Sequence, residues 1–217
     1  MMKQFKTVFS LLKYGFQIKL NTVLAISFLL FGLFIFFTGD ITEGMLGFFI
    51  TLTPLYLLQV LQSFLYTGIA KSSPINRILE IDFANRFNAI CCLGGFTIYI
   101  LCLGFKHGFS PIDMHASSII SGSLLIFMLC IYSCCAYKYF VPSIIAVYIS
   151  TITVMIITVL IDKVIAYKEL TIHPALSCII GYLIVLAGIG LSVVIRKVLY
   201  NKPLSMLAAG TELRKFL

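Results

Sequence analysis

The sequence predicts an all-α, polytopic membrane protein: one transmembrane domain over residues 1–217, with six transmembrane helices preceded by an amphipathic interfacial helix. Three observations predict it. The composition, 60% hydrophobic and 11% charged, carries more apolar surface than a soluble domain of this length can bury. The charges gather in short clusters separated by charge-free runs at 20–39, 44–70, 87–105, 116–137, 139–161 and 174–195. At 1.5 Å rise per residue each run is long enough to cross roughly 30 Å of hydrocarbon as a helix. Finally, the basic residues are divided unequally between alternate connections, as they are when one side faces the cytoplasm.

Residues 3–20 show helical amphipathicity. Phe5, Val8, Phe9, Leu12, Phe16 and Leu20 share one face at 100° per residue, and Lys3, Lys6, Ser10, Lys13 and Gln17 share the other. A helix of this kind lies in the membrane interface, cations toward anionic headgroups and phenylalanines toward acyl chains. Lys19 falls on the apolar side, where its aliphatic stem lets the charge reach water. The first span, 21–38, follows a basic segment as a secretory signal does, but it ends in Phe36-Phe37-Thr38-Gly39 without a small-x-small cleavage site. It is therefore expected to be retained. Pro54 lies inside the second span, 44–70, where it can kink the helix.

The loop 71–87 is the longest connection on the basic side. Ser73 is placed to accept an orphan amide and Pro74 to occupy the first helical position, so a short helix is expected to begin there. Through Phe83 it alternates the charges Arg77, Glu80 and Asp82 with Ile75, Ile78, Leu79 and Ile81, for which no core is evident in the sequence. Two readings remain open on the residues: a docking helix for a soluble partner, or an interfacial connector.

The remaining spans are 88–105, 116–137, 141–161 and 174–195. Small residues four apart within them (Cys91/Gly95, Ser118/Gly122, Gly188/Ser192) allow close helix approach, either inside the chain or at a dimer seam. All seven cysteines fall in spans, where they act as small apolar side chains rather than a disulfide framework. The external connections 39–43, 106–115 and 162–173 are too short for a ligand-binding domain.

Thirteen basic residues lie on one side: Lys3, Lys6, Lys13, Lys19, Lys71, Arg77, Arg86, Lys138, Arg196, Lys197, Lys202, Arg214 and Lys215. Three lie on the other: Lys106, Lys163 and Lys168. This bias puts both termini in the cytoplasm and makes the +8 net charge a matter of topology rather than of nucleic-acid binding; the expected location is a bacterial plasma membrane.

Several chemistries are disfavoured. The six runs contain no ionisable residue, which weakens an ion-coupled carrier or proton pump. His107, His115 and His173 lie on the external side in no catalytic spacing, and no His/Cys cluster points to a metal. No GxxxxGK[ST] loop is present, so ATP in the Walker manner, with its Mg, belongs on another chain. The chain is expected to be no enzyme and to hold no cofactor itself.

This arrangement resembles the permease subunits of type-2 ABC exporters, the ABC-2 type permeases. In that family an elbow helix precedes six spans with both termini inside, and a coupling helix between spans two and three engages the ATPase. Ser72-Ser73-Pro74-Ile75-Asn76-Arg77-Ile78-Leu79-Glu80 is similar to the "small or Leu, Pro, hydrophobic, polar, Arg" segment of many bacterial members. The chain departs from the family in lacking a large external domain and an evident re-entrant hairpin before the last span. The resemblance implies that residues 3–20 form the elbow, and that Pro74, Ile75, Asn76, Arg77, Ile78, Leu79 and Glu80 form the coupling helix. Ile75, Ile78 and Leu79 would then seat in the ATPase and Arg77 would meet a carboxylate. It implies an ABC ATPase partner, a second permease chain in a homo- or heterodimer, and export by alternating access. The apolar spans suit an amphipathic or hydrophobic cargo such as a peptide, an antimicrobial or a lipid-like compound. Two other classes stay open: a non-transporting membrane scaffold or accessory subunit, and a small carrier such as the substrate-binding subunit of a vitamin importer.

Overall fold

The computed structural model describes residues 18–38, 53, 56–57, 77–106, 116–136, 138–168 and 174–202. Among them the regular structure is helical, with no strand. The helices are α1 (Ile18–Thr38), a π-helical turn (Ile78–Phe83) running directly into α2 (Ala84–Lys106), α3 (Ala116–Cys135), α4 (Phe140–Lys168) and α5 (Pro174–Leu199). Among the described residues three segments are long and apolar enough to cross a membrane: Ile78–Lys106, Ala116–Cys135 and Ala175–Leu199. They overlap the expected third, fourth and sixth spans. Shorter apolar stretches, Lys19–Phe34 and Val141–Val154, lie in α1 and α4 at the expected first and fifth. Apart from Thr53, Tyr56 and Leu57 the expected second span lies outside the described residues, as do the elbow residues Phe5, Lys6, Phe9, Leu12, Lys13 and Phe16.

The packing is compatible with a membrane bundle, with small and polar residues buried beside a few large ones and a broad aliphatic surface outside. Helix α3 is the centre, in contact with α2, α4 and α5. Its buried positions include Ser117, Ser118, Ser121, Ser123 and Ser133. A serine can be buried in an apolar bundle because its hydroxyl bonds back to its own helix: Ser121 donates to the Ser118 carbonyl at 2.9 Å, Ser123 to Ile120 at 2.7 Å and Ser133 to Cys130 at 2.8 Å. The short side chains then let neighbouring helices come close.

The pairs of small residues are used within the chain. Gly95, Ser118, Gly122, Gly188 and Ser192 are all buried, which decides between the two expected roles for these positions in this fold. A Cβ on Gly122 would run into the Tyr99 ring, and one on Gly188 would lie 2.9 Å from the Phe127 ring and 3.2 Å from its Cα. The sequence reading overlooked Gly181, where a Cβ would stand 3.2 Å from Cε1 of Phe96 and nearer still to its Cζ. Around these contacts Phe96, Tyr99, Ile119, Ile126 and Val185 form the core. The Tyr99 hydroxyl donates to the Ser118 carbonyl at 2.7 Å, and Phe96 meets Tyr182 edge to face at 5.0 Å.

Outward, α5 carries Leu176, Ile179, Leu183, Leu186, Leu191, Val194 and Val198 exposed, and α4 carries Ile145, Tyr148, Ile149, Ile152, Ile156, Val159 and Leu160. Stripes of this size are stable only against lipid or protein. Helix α1 has its own contacts in Phe28, stacked on Tyr56 at 5.2 Å, and the Ala25 carbonyl, which accepts from Thr53 Oγ1 at 3.5 Å.

The sequence reading expected a separate short helix up to Phe83. The described part of that segment instead continues into α2 without a break, and its apolar residues have a core. Leu79 is 1% exposed, Ile81 and Phe83 are buried, and only Ile78, 42% exposed, fits the expectation of an uncovered apolar side chain. Burial against the end of α5 and the body of the bundle supplies the cover that the linear sequence does not reveal.

Candidate functional site at the convergence of three helix ends

The π turn, the connection between α3 and α4, and the end of α5 meet at one end of the bundle. The connection is short because the chain turns within a few residues. Ala136 N–H donates to the Tyr132 carbonyl at 2.9 Å, and Lys138 and Tyr139 N–H both donate to the Cys135 carbonyl, at 3.0 and 2.7 Å. This turn aims Lys138 inward. Its ammonium lies 3.1 Å from Glu80 Oε1, with side-chain exposures of 4% for the lysine and 12% for the glutamate. It also donates to the carbonyls of Tyr200 at 3.2 Å and Lys202 at 2.7 Å. An ammonium has three donors, and here three acceptors from two different segments surround it. Both carbonyls follow directly on the C-terminal end of α5, where the helix dipole also favours a cation.

One turn deeper the polar contacts continue. Arg196 is 1% exposed and donates from Nη2 to the Ser133 carbonyl at 3.3 Å and to Cys134 Sγ at 3.5 Å. The Cys134 thiol donates to the Ser192 carbonyl at 3.4 Å, Asn88 Nδ2 to Ser192 Oγ at 3.4 Å, and the Cys92 thiol to Asn88 Oδ1 at 3.4 Å. These bonds fasten α2 and α3 to α5 and give the atoms that make them partners inside the bundle.

Over this buried layer lies a cleft of about 610 Å³, lined by Arg77, Ile78, Ile81 and Asp82 on one wall and by Lys197, Tyr200 and Asn201 on the other. Two cations, two isoleucines, a carboxylate, a phenol and an amide make a surface suited to seating a side chain or short segment with both an apolar and an acidic part. Among the described residues no group of three His, Cys, Asp or Glu could hold a metal ion.

The structure thus brings some of the sequence-predicted coupling residues together and separates others. Arg77 and Ile78 stand exposed in the cleft wall; Leu79 and Glu80 face inward, Glu80 into an ion pair where an exposed charge was expected. Pro74, Ile75 and Asn76 lie outside the described residues. The second wall, and Lys138 behind it, went unrecognised in the sequence. The signal for Lys138 was available: it is a lone cation in a two-sided apolar context, between the charge-free runs 116–137 and 139–161. Compared with protein-family models, with curated proteins and with solved structures, the chain matches none.

Proposed function

We propose that the chain is the membrane-spanning permease subunit of an ATP-driven ABC exporter, acting with a separate ATPase that carries ATP and Mg and with a second permease chain. The observation that carries this reading is the cleft, whose rim presents Arg77 and Ile78 at the end of the bundle where Lys138, Arg196, Lys197 and Lys202 also gather. Lys106 lies at the opposite end of α2. By the preference of Lys and Arg for the inner side, the cleft faces the cytoplasm, as do both termini. A soluble motor is thus the partner this surface would meet, with Ile78 as apolar anchor and Arg77 reaching a carboxylate on the ATPase. ATP-driven closure of the motor subunits would move the π turn and with it α2, and an amphipathic or hydrophobic cargo would cross between the two permease chains.

Co-purification with the ATPase tests the reading. Arg77→Glu and Ile78→Asp are each expected to weaken association roughly tenfold or more while the chain still inserts, since both side chains are exposed. Leu79 is the wrong target, because a charge at that buried position damages the fold first. Retained ATPase binding in both variants removes the docking assignment. Association without ATP-dependent cargo movement in reconstituted vesicles would make the chain a scaffold instead.

A further inference from the structure

The two walls of the cleft belong to segments more than one hundred residues apart in sequence, and nothing in the local chain holds them at a fixed separation. Beside the direct packing of the π turn on α5, one side chain bonds to both segments. Lys138 bonds Glu80 in the π turn and the carbonyls of Tyr200 and Lys202 beyond α5, so the residues it grips lie within or beside the cleft-lining sets 77–82 and 197–201. It lines neither wall itself. We infer that Lys138 is the positioning residue of the cleft: it fixes the spacing between the Arg77/Ile78 wall and the Lys197/Tyr200/Asn201 wall, and so presents a formed docking surface to the partner.

The chemistry at 138 goes beyond a simple ion pair. A pair of opposite charges works equally well in either direction, whereas the acceptors around this ammonium are one carboxylate and two carbonyls, all of which require a donor. Exchanging the charges would put a carboxylate at 138 against two carbonyl oxygens. The first wall would regain an attractive partner and the second would be repelled. An arginine at 138 keeps cation and donors and is compatible with both walls. Lipid is a poor substitute solvent for any of these groups, so the requirement is strict.

The inference rests on the cleft being the docking site, and the test separates the two ideas. Spin labels introduced through non-cysteine encoded residues at Asp82 and Asn201, on opposite walls, report the spacing in the full chain without any partner. Lys138→Met and Glu80→Gln are expected to broaden and lengthen that distance. Lys138→Arg should restore the narrow distribution, and the exchange Glu80→Lys with Lys138→Glu should not. The same variants then follow the partner: Met and Gln weaken ATPase association roughly tenfold although neither residue lines the cleft, and Arg keeps it. An unchanged distance in Lys138→Met, or full restoration by the charge exchange, overturns the positioning role. If the native chain shows the expected distances but binds no ATPase, the docking reading falls while the role of Lys138 in shaping the cleft stands.

Discussion

Helices α3 and α4 are joined by a tight turn and differ little in apolar character, yet their surroundings are opposite. Buried positions of α3 are serines, Gly122, Cys130, Cys134 and a few large residues; the exposed positions of α4 are isoleucine, valine, leucine and tyrosine. In water the second set would form a core. The observed order is the one expected where lipid solvates aliphatic side chains, since close backbone approach and the need of polar groups for partners then draw helices together. Small and hydrogen-bonding residues thus mark the buried side of α3, beside the large residues Ile119, Ile126, Leu129 and Tyr132 that it also buries.

The sharpest way to break that contrast is at the polar end of α3. Lys138→Met removes the ammonium 3.1 Å from the Glu80 carboxylate and the donor to two carbonyls, and is expected to cost about 3 kcal/mol, read as loss of resistance to denaturing detergent. Overfilling the centre ranks next. Gly122→Val drives a branched side chain against the buried Tyr99 ring, with an expected cost of about 1–3 kcal/mol in the same assay. Removing one hydroxyl is milder: Tyr99→Phe deletes the 2.7 Å bond to the Ser118 carbonyl, for about 0.5–1.5 kcal/mol. On α4, Ile152→Ala removes only lipid-facing surface and should shift stability by less than about 0.5 kcal/mol. If Ile152→Ala proves as damaging as Gly122→Val, the outer face of α4 is covered by protein rather than lipid.

How much of this was legible in the sequence follows from which forces act locally. Gaps between charges locate helices because a charge is excluded from hydrocarbon wherever it lies in the fold, so the third, fourth and sixth expected spans overlap the three candidate membrane-crossing segments. Pairs such as Gly188/Ser192 were readable for the same reason, since close approach needs small residues at helical spacing. The burial of Glu80, Lys138 and Arg196 was not. Lys138 and Arg196 sit at the ends of apolar runs and Glu80 in a charged loop, where a linear reading places water, and only the meeting of segments distant in sequence removes it. Leu79 and Ile81 misled in the same manner: their partners are distant in sequence, so their cover could not be seen beside them.

The π turn at Ile78–Phe83 carries one more consequence. A π-helical turn accommodates one residue more than an α-helical turn, so it acts as a one-residue insertion in the register of the long segment Ile78–Lys106. Deleting a single residue within it would let the segment relax to a regular α-helix with both flanks keeping nearly their present direction, whereas deleting one at the start of α2 would rotate everything before the deletion by about 100° around the axis. Arg77 and Ile78 would then point away from the Tyr200 side while α2 kept its place in the bundle. The direction in which this end of the molecule offers its side chains is thus set by the residue count of α2, and the π turn is a place where one codon can be lost without re-aiming it.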